Sequence, residues 1–278
     1  MQSSFLQLEG IRLHYVEKNP SAPLSLFLIP GNSLSTSIWR KQWDSPLFNN
    51  FRIIALDLPA HGLSDPAADP ESSYSLPELG VLMAAAINTL SQHKPFFLAG
   101  VSLGTNIAAE ALSHLRDPLG LVLAGPSIVG GSTGIGQLLL PNTHVSVVFT
   151  DDATEADVQA YAKETSISED PEDYHNFLKD YAQTQKPFRS VLGGQIAAGN
   201  YSDHIGIIQQ RNISVQLIFG GDEKVINNNY LDEVSLPVWN NRIEKIAGAS
   251  HLVQIDRPDE FNRLMSAFLN ERAKEAGF

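Results

Sequence analysis

The residues best suited to chemistry form a five-residue motif, GVSLG, from Gly100 to Gly104. The motif follows the apolar run at residues 95–99 and precedes a helical pattern, which is the context that a G-x-S-x-G turn requires. Such a turn holds its serine in strained backbone geometry and needs small residues on both sides, because a Cβ there would clash with neighbouring elements. It also places the hydroxyl at a helix N-terminus, whose dipole favours developing negative charge. The pattern predicts Ser102 as a nucleophile.

A serine hydroxyl is a weak nucleophile at neutral pH, so a base must take its proton during attack. His251 lies between the last predicted strand and the last predicted helix, on a loop at one edge of the sheet from which an imidazole can reach Ser102. We therefore predict His251 as the base. The other seven of the eight histidines fit less well, because they lie in a predicted hairpin, in a turn, at helix ends or in the inserted segment described below: His14, His61, His93, His114, His144, His175 and His204.

A third group should orient the imidazole and stabilise its protonated form. The run GGDEKV begins at Gly220, directly after the apolar run at residues 215–219, and offers the carboxylates of Asp222 and Glu223. We favour Glu223, because the acid that follows such a strand usually stands three residues after the first glycine, and we keep Asp222 as the alternative. With either acid, the order along the chain is serine, acid, histidine.

Attack on a carbonyl group leaves negative charge on its oxygen, which main-chain N–H groups should meet in an oxyanion hole. One donor is expected from Leu103, the residue after the nucleophile. The other is expected from Asn32, in the turn PGNS that follows the apolar run at residues 24–29. Gly31 lets the backbone of this turn approach the nucleophile closely.

Short apolar runs alternate with helical patterns along the chain, which is typical of a mostly parallel sheet with crossover helices. An N-terminal hairpin is predicted from residues 5–8 and 11–16, with its turn at Glu9 and Gly10. Further strands are predicted at 24–29, 51–56, 96–99, 119–124, 215–219 and 242–246, and amphipathic helices at 75–90, 103–115 and 258–273.

The alternation breaks once, at residues 130–205. The break opens with a glycine-rich run at residues 130–136, which lacks the Lys-Ser/Thr pair of a phosphate loop and is interpreted as a hinge. Helical patterns follow near 154–161, where Thr154 and Asp157 fit a capping box, and at 172–183 and 187–198. The stretch is too long for a loop and too short for a second core. We predict a helical lid at 130–205 inserted into an α/β core of residues 1–129 and 206–278.

Composition narrows the function classes. The chain has 278 residues, enough for one or two domains, with 19 basic and 31 acidic residues and a net charge of −12. This charge disfavours nucleic acid and anionic membranes as partners. The absence of cysteine excludes disulfides, a thiol nucleophile and cysteine-ligated metals. Without a visible signal peptide or a long apolar run, we expect a soluble cytoplasmic protein with a small-molecule substrate, no metal and no cofactor.

These motifs together resemble the α/β-hydrolase superfamily, which shares the order serine, acid, histidine. The segment DLPAHGLS, at residues 57–64, is similar to that family's D-x-P-G-x-G-x-S turn, with Ala60 in place of a glycine. Within the superfamily, the likeness is greatest to the metal-independent N-acyl homoserine lactonases. The matching pieces are residues 30–33, 57–64, 73–75, the acid turn at 220–223 and residues 156–162.

The resemblance implies the α/β-hydrolase fold and hydrolysis of a lactone ring that bears an acyl amide. It also implies that Glu223 is the triad acid, that Asn32 lies beside the oxyanion hole and binds substrate, and that Tyr161 in the lid contacts the substrate. The chain departs from the family at Pro30, where histidine is usual, and at Thr105, where another glycine is common.

We therefore predict a serine hydrolase that cleaves a small ester or lactone through an acyl-enzyme. The Ser102 elbow excludes the related enzymes with an aspartate nucleophile, and the lack of an H-x-H-x-D-H cluster excludes metal-dependent lactonases. A generic carboxylesterase, a C–C bond hydrolase and a slow-turnover ligand receptor of the same fold stay open. An apolar acyl pocket is expected from six lid residues: Val147, Phe149, Tyr161, Phe177, Tyr181 and Phe188.

Overall fold

Eight strands form a single mixed sheet. In the computed structural model of the chain, which describes residues 2–8, 10–116 and 118–278, the strand order is β1-β2-β4-β3-β5-β6-β7-β8. Glu9, the first residue of the predicted hairpin turn, lies outside the described residues. The strands are β1 (Gln2–Leu8), β2 (Ile11–Lys18), β3 (Leu24–Ile29), β4 (Phe51–Leu56), β5 (Phe96–Val101), β6 (Leu121–Ala124), β7 (Val215–Gly220) and β8 (Glu244–Ile246).

The pairing divides the sheet into two parts. β1 pairs antiparallel with β2, and β2 antiparallel with β4, whereas the remaining neighbours are parallel. Every residue of β3 to β7 is buried, as expected for parallel strands covered by helices on both faces. β1, at the edge, leaves alternate residues exposed. The structure confirms the predicted α/β-hydrolase fold with its N-terminal antiparallel hairpin.

Helices flank the sheet and fill most of the connections between strands. They are α1 (Arg40–Trp43), α2 (Pro70–Ser73), α3 (Leu76–Ser91), α4 (Leu103–Ala111), α5 (Ile135–Leu138), α6 (Glu155–Thr165), α7 (Pro171–Gln183), α8 (Phe188–Ala197), α9 (His204–Arg211), α10 (Val253–Asp256) and α11 (Pro258–Glu275). Short 3-10 helices lie at Thr36–Trp39, Pro46–Phe48, Leu112–His114, Val145–Val148 and Trp239–Asn241. None of the helices in the described ranges combines the length and apolar character that a membrane crossing needs.

Local sequence signals explain where these helices begin. The Ser75 hydroxyl accepts a hydrogen bond from the Glu78 N–H at the start of α3, and Thr154 caps α6 through the Asp157 N–H. The helix predicted at 103–115 is shorter than expected, because α4 ends at Ala111 and a 3-10 turn follows. α4 begins directly after β5, so the chain reverses direction at the single residue Ser102.

The long connection between β6 and β7 carries α5 to α9, although these two strands are neighbours in the sheet. Helix α9, which the sequence analysis did not predict, packs against α4 and crosses the predicted boundary at residue 205. The division into a core and a lid at 130–205 stays a prediction. We refer to this part of the chain as the 130–205 segment.

Candidate active site

Three side chains from three separate loops meet at the carboxyl ends of the parallel strands. Ser102 Oγ lies 2.9 Å from His251 Nε2, and His251 Nδ1 lies 2.6 Å from Glu223 Oε1. The His251 and Glu223 side chains are each only 2% exposed. Ser102 follows β5, Glu223 follows β7 and His251 follows β8. The structure thus brings all three predicted residues into one hydrogen-bonded line.

The backbone of Ser102 has φ +52° and ψ −125°, a strained conformation for a residue with a side chain. A Cβ on Gly104 would lie 2.5 Å from the Ile29 carbonyl oxygen, and one on Gly100 would lie 2.3 Å from the Gly104 carbonyl oxygen. Larger residues at either position would push the turn away from β3 or from α4. The G-x-S-x-G spacing is therefore a packing requirement of this turn.

Thr105, a departure from the family pattern, braces the strained turn. Its Oγ1 donates to the Ser102 carbonyl oxygen at 2.6 Å and accepts from the Ser127 N–H at 2.9 Å. The Ser127 hydroxyl lies 2.9 Å from the same Ser102 carbonyl oxygen and closer, at 2.5 Å, to Asn106 Oδ1. The hydroxyl and the N–H of Thr105, the latter at 2.8 Å, therefore fix one carbonyl group of the turn.

The loop that carries His251 is fixed on both sides of the imidazole. The Ser250 N–H donates to Asp256 Oδ2 at 2.7 Å, and the Leu252 N–H donates to the Thr165 carbonyl at 2.7 Å. Because Thr165 ends α6, the 130–205 segment itself helps to hold the imidazole in place.

Of the two acids that the sequence offers, Glu223 lies against the imidazole. Its Oε2 accepts from the main-chain N–H groups of Lys224, at 2.9 Å, and Val225, at 3.0 Å, so both carboxylate oxygens are engaged. Asp222 is exposed and accepts from the Gly248 N–H at 2.7 Å. Asp222 therefore stabilises the turn between β8 and the His251 loop instead of contacting His251.

The loop after β3, residues 30–35, approaches the Ser102 turn. A Cβ on Gly31 would lie 3.1 Å from the Ser102 Cβ. Among the described residues, neither the Asn32 N–H nor the Leu103 N–H has a hydrogen-bond partner. Both predicted oxyanion donors are thus unoccupied next to Ser102. The Asn32 side-chain amide, in contrast, is engaged: its Nδ2 donates to the Val148 carbonyl at 2.5 Å.

A largely apolar cavity lies over Ser102 and His251. Its apolar walls come from the 130–205 segment and from loops of the sheet: Leu76, Leu103, Val129, Ile135, Leu138, Leu139, Val145, Val148, Phe149, Ile196, Val225 and Ile226. Its polar lining comprises Asn32, Asn106, Ser127, Tyr161 and Tyr201 together with Ser102 and His251.

Four of the six predicted pocket residues do not line this cavity: Val147, Phe177, Tyr181 and Phe188. The Phe188 ring packs 4.4 Å from the His61 ring in the core. The Tyr181 hydroxyl donates to the Val147 carbonyl at 2.8 Å, and the Phe177 ring lies 6.1 Å from the Tyr161 ring. Phe149 and Tyr161 do line the cavity, so aromatic content alone did not separate cavity walls from residues that pack elsewhere. Leu138 and Ile196 line the cavity, but no motif or aromatic side chain marks these positions in the sequence.

Tyr161 lines the cavity beside the hydrogen-bonded line. Burial, followed by the charge of Glu223 and of Glu164, raises the pKa of the Tyr161 hydroxyl well above its ordinary value. The hydroxyl has no hydrogen-bond partner among the described residues. It therefore keeps its proton at neutral pH and is available as a donor to a group in the cavity.

Comparison with known proteins places the chain in a family. The model of the alpha/beta hydrolase family matches residues 26–264. The chain belongs to the α/β hydrolase family. A curated relative, the dihydrolipoyllysine-residue acetyltransferase component of the acetoin cleaving system from Cupriavidus necator, is 23% identical over 95% of this chain and 68% of its own length.

Solved structures show the same fold for this α/β hydrolase. A variant of the N-acyl homoserine lactonase AidH, in complex with N-hexanoyl homoserine lactone, has a TM-score of 0.89 and 23% identity, with 99% of each chain covered. The carboxylesterase CesB from Bacillus subtilis has a TM-score of 0.74 and 17% identity, covering 96% of this chain and 91% of its own. At these identities the likeness concerns the fold.

This α/β hydrolase contains a second line of serine, histidine and carboxylate, with Asp57 in place of a glutamate, in the antiparallel part of the sheet. Ser3 Oγ lies 2.8 Å from His14 Nε2, and His14 Nδ1 lies 2.7 Å from Asp57 Oδ2. Neither Ser3 nor His14 lines the cavity over Ser102. In the part of the chain that the structure describes, no group of three or more His, Cys, Asp or Glu side chains is arranged to hold a metal ion.

Proposed function

We propose that this protein is a serine hydrolase that cleaves a small-molecule carboxylic ester or lactone. The observation that carries the proposal is the line from Ser102 through His251 to Glu223, placed under an apolar cavity and beside two unoccupied N–H donors. A nucleophile, a base within hydrogen-bond reach and a third group that orients the base are the parts that acyl transfer requires.

The mechanism follows from the atoms that face one another. His251 Nε2 accepts the Ser102 proton while Oγ attacks the substrate carbonyl carbon, and Glu223 stabilises the imidazolium. The Leu103 and Asn32 N–H groups donate to the resulting oxyanion. His251 then protonates the leaving oxygen, which leaves an acyl-enzyme on Ser102. A water molecule that gives its proton to His251 attacks this ester and releases the acid.

Within this class we propose an N-acyl homoserine lactone as the substrate. Three observations support it: the apolar cavity suits an acyl chain, the Tyr161 hydroxyl is a free donor for an amide or ring carbonyl, and the fold matches that of AidH. Asn32 contributes its N–H to the oxyanion hole and lines the binding cavity. Its side-chain amide donates to Val148 in the 130–205 segment, and this segment acts as a lid over the cavity. Linear esters offer the same carbonyl chemistry, so ring and chain substrates must be compared directly.

The test is a side-by-side assay of N-acyl homoserine lactones and p-nitrophenyl esters with matched acyl chains. Ring opening is followed by mass spectrometry as the gain of one water molecule. We expect turnover of both classes, higher kcat/KM for the lactones, and loss of about 10⁶ in kcat in Ser102→Ala. The matched control is Ser3→Ala, which removes the serine of the other line. Esters cleaved faster than lactones would overturn the lactone assignment, and activity of Ser102→Ala within about tenfold of the parent would overturn the mechanism.

A further inference from the structure

The loop at residues 30–35, which carries the Asn32 N–H, is hydrogen-bonded to the 130–205 segment. Asp180 Oδ2, on α7, accepts from the Ser35 N–H at 2.9 Å and from the hydroxyls of Ser35 and Ser37 at 2.8 Å each. Three donors from one short stretch therefore converge on a single carboxylate oxygen. Asp180 is only 5% exposed, and its burial raises the pKa of the carboxyl group.

Helix α8 forms a further hydrogen bond with the loop, through Arg189. Arg189 Nε donates to Ser33 Oγ at 2.8 Å, and Ser33 Oγ in turn donates to Asn32 Oδ1 at 3.0 Å. Arg189 is 4% exposed, and its guanidinium lies 3.8 Å from the centre of the Tyr181 ring. Within the described residues, no carboxylate oxygen lies within 4.0 Å of this guanidinium. A buried cation without an ion-pair partner is costly unless its N–H groups are hydrogen-bonded. Arg189 donates through Nη2 to the Tyr181 carbonyl, within its own segment, and through Nε to Ser33 in the loop.

The loop has reason to need this support. Ser33 has φ +60°, a conformation that a residue with a side chain adopts only under constraint. Its N–H donates to His61 Nε2 at 2.9 Å, and His61 is fully buried in the core. The residue next to Asn32 is thus held between the core and the 130–205 segment.

We propose that Asp180 and Arg189 are positioning residues, through which the 130–205 segment holds the Asn32 N–H at the oxyanion. The inference rests on the proposed function, because it concerns the oxyanion hole of that reaction. An N–H donor stabilises the transition state only when it is fixed before charge develops. Displacement of α7 and α8 from the core would release the 30–35 loop, so the oxyanion hole is complete only while this segment is docked.

The test separates transition-state binding from substrate binding. Asp180→Asn keeps the shape of the side chain, Ser33→Ala removes the link between Arg189 and Asn32, and Arg189→Met removes the guanidinium. We expect kcat to fall by about 10- to 100-fold while KM stays within about threefold. The inhibition constant of an alkyl trifluoromethyl ketone, which forms a tetrahedral oxyanion with the nucleophilic serine, should rise by the factor lost in kcat/KM. Arg189→Lys, which can still donate to Ser33 Oγ, should recover part of the loss.

Asp152→Asn is the matched control, since its side chain belongs to the same segment but is 94% exposed. It should leave kcat and the inhibition constant unchanged. Should Asp180→Asn fail to fold, Ser33→Ala decides, because it removes a single hydroxyl group. A kcat within about twofold of the parent in Ser33→Ala and Arg189→Met would overturn the inference, as would a fall in kcat without weaker ketone binding. Loss of this inference leaves Ser102-dependent hydrolysis by the parent intact, whereas failure of the proposed function removes that activity itself.

Discussion

Ser102 and Ser3 each form a hydrogen bond with a histidine that is itself bonded to a buried carboxylate. The distances agree within 0.1 Å, at 2.9 and 2.6 Å in one line and 2.8 and 2.7 Å in the other. Both pairs of histidine and carboxylate are at most 4% exposed. Hydrogen-bond geometry and burial alone therefore cannot tell which serine is a nucleophile.

The surroundings of the two serines differ. Ser102 stands alone at a strained turn, under a cavity and beside the unoccupied N–H groups of Asn32 and Leu103. Ser3 is an exposed residue within the regular strand β1, paired opposite Val16. We therefore predict that Ser102 and not Ser3 is the nucleophile, because the strained backbone and the space above Ser102 can bind a carbonyl group and its developing charge.

The largest contrast is expected at the two histidines. His251→Ala should lower kcat by about 10⁶, because among the described residues no other base forms a hydrogen bond with Ser102 Oγ. His14→Ala should leave kcat of the folded protein within about threefold, but lower the free energy of unfolding by about 2 kcal/mol through the lost bond to Asp57. Steady-state kinetics and urea unfolding of both variants make the measurement. Equal losses of kcat would remove the distinction between the two lines.

Substitution of the carboxylates should also lower kcat more in the Ser102 line than in the Ser3 line, by a smaller factor than substitution of the histidines. Glu223→Gln should lower kcat by about 10⁴, because an amide favours the wrong tautomer of His251, and should leave stability nearly unchanged. Asp57 also accepts from the N–H groups of Thr36, at 2.6 Å, and Leu63, at 3.0 Å. Asp57→Asn therefore places an amide against main-chain donors and should cost about 1–3 kcal/mol of stability, with less than about tenfold loss in kcat. A larger kcat loss in Asp57→Asn than in Glu223→Gln would contradict this assignment.

The loop at residues 30–35 approaches Ser102 and not Ser3. His61, which accepts a hydrogen bond from this loop, should make the free energy of unfolding depend on pH. Burial lowers the pKa of His61 to about 4, an effect that Asp57 opposes and Arg189 reinforces. In its neutral form, His61 accepts from the Ser33 N–H and donates to the Pro59 carbonyl. Because the folded-state pKa lies below the unfolded value, this contribution is complete above about pH 6.5 and is lost as the pH falls towards 4.

The loss corresponds to about 3 kcal/mol, at about 1.4 kcal/mol for each pKa unit. It is measured as the difference between the parent and His61→Gln in urea unfolding at pH 7 and at pH 4.5. Glutamine can accept from the Ser33 N–H at either pH, so the variant should lose less stability on acidification. Parallel pH dependences of the two proteins would rule out this role of His61.

The smallest effect on kcat/KM is expected from changes in the cavity, which lies over Ser102 and not over Ser3. Octanoyl substrates should exceed acetyl substrates in kcat/KM by about tenfold or more, since each buried CH₂ contributes up to about 0.8 kcal/mol. Ile196→Phe narrows the cavity and should shift the preference towards shorter chains. Val81→Phe, on the exposed face of α3, should not. Equal kcat/KM for acetyl and octanoyl substrates would show that the acyl chain lies elsewhere.

The sequence predicted those features that are encoded locally. The elbow motif specifies its own backbone geometry, and the turns after β7 and β8 carry Glu223 and His251 to the same end of the sheet as Ser102. The distances between these side chains agree with the predicted line, whereas their catalytic roles stay predictions.

The contacts across the 130–205 segment could not be predicted, because they depend on packing between distant parts of the chain. Asp180 reaches Ser35 across 145 positions, and Arg189 reaches Ser33 across 156. No local pattern shows which helix face turns towards the cavity, and for this reason Phe188 was predicted as a wall but packs in the core. Thr105 shows the converse case, since a departure from the family motif proved to hold the Ser102 carbonyl group.

The most direct test of the account is to label the protein with a fluorophosphonate and map the adduct by peptide mass spectrometry. A fluorophosphonate reacts with an activated serine, so one adduct is expected, on the peptide that contains Ser102, and none on the peptide that contains Ser3. The Ser102→Ala variant should stay unlabelled, and Ser3→Ala should be labelled at the parent's rate. An adduct on Ser3, or an active parent that remains unlabelled at Ser102, would contradict the claim that the strained turn makes Ser102 the nucleophile.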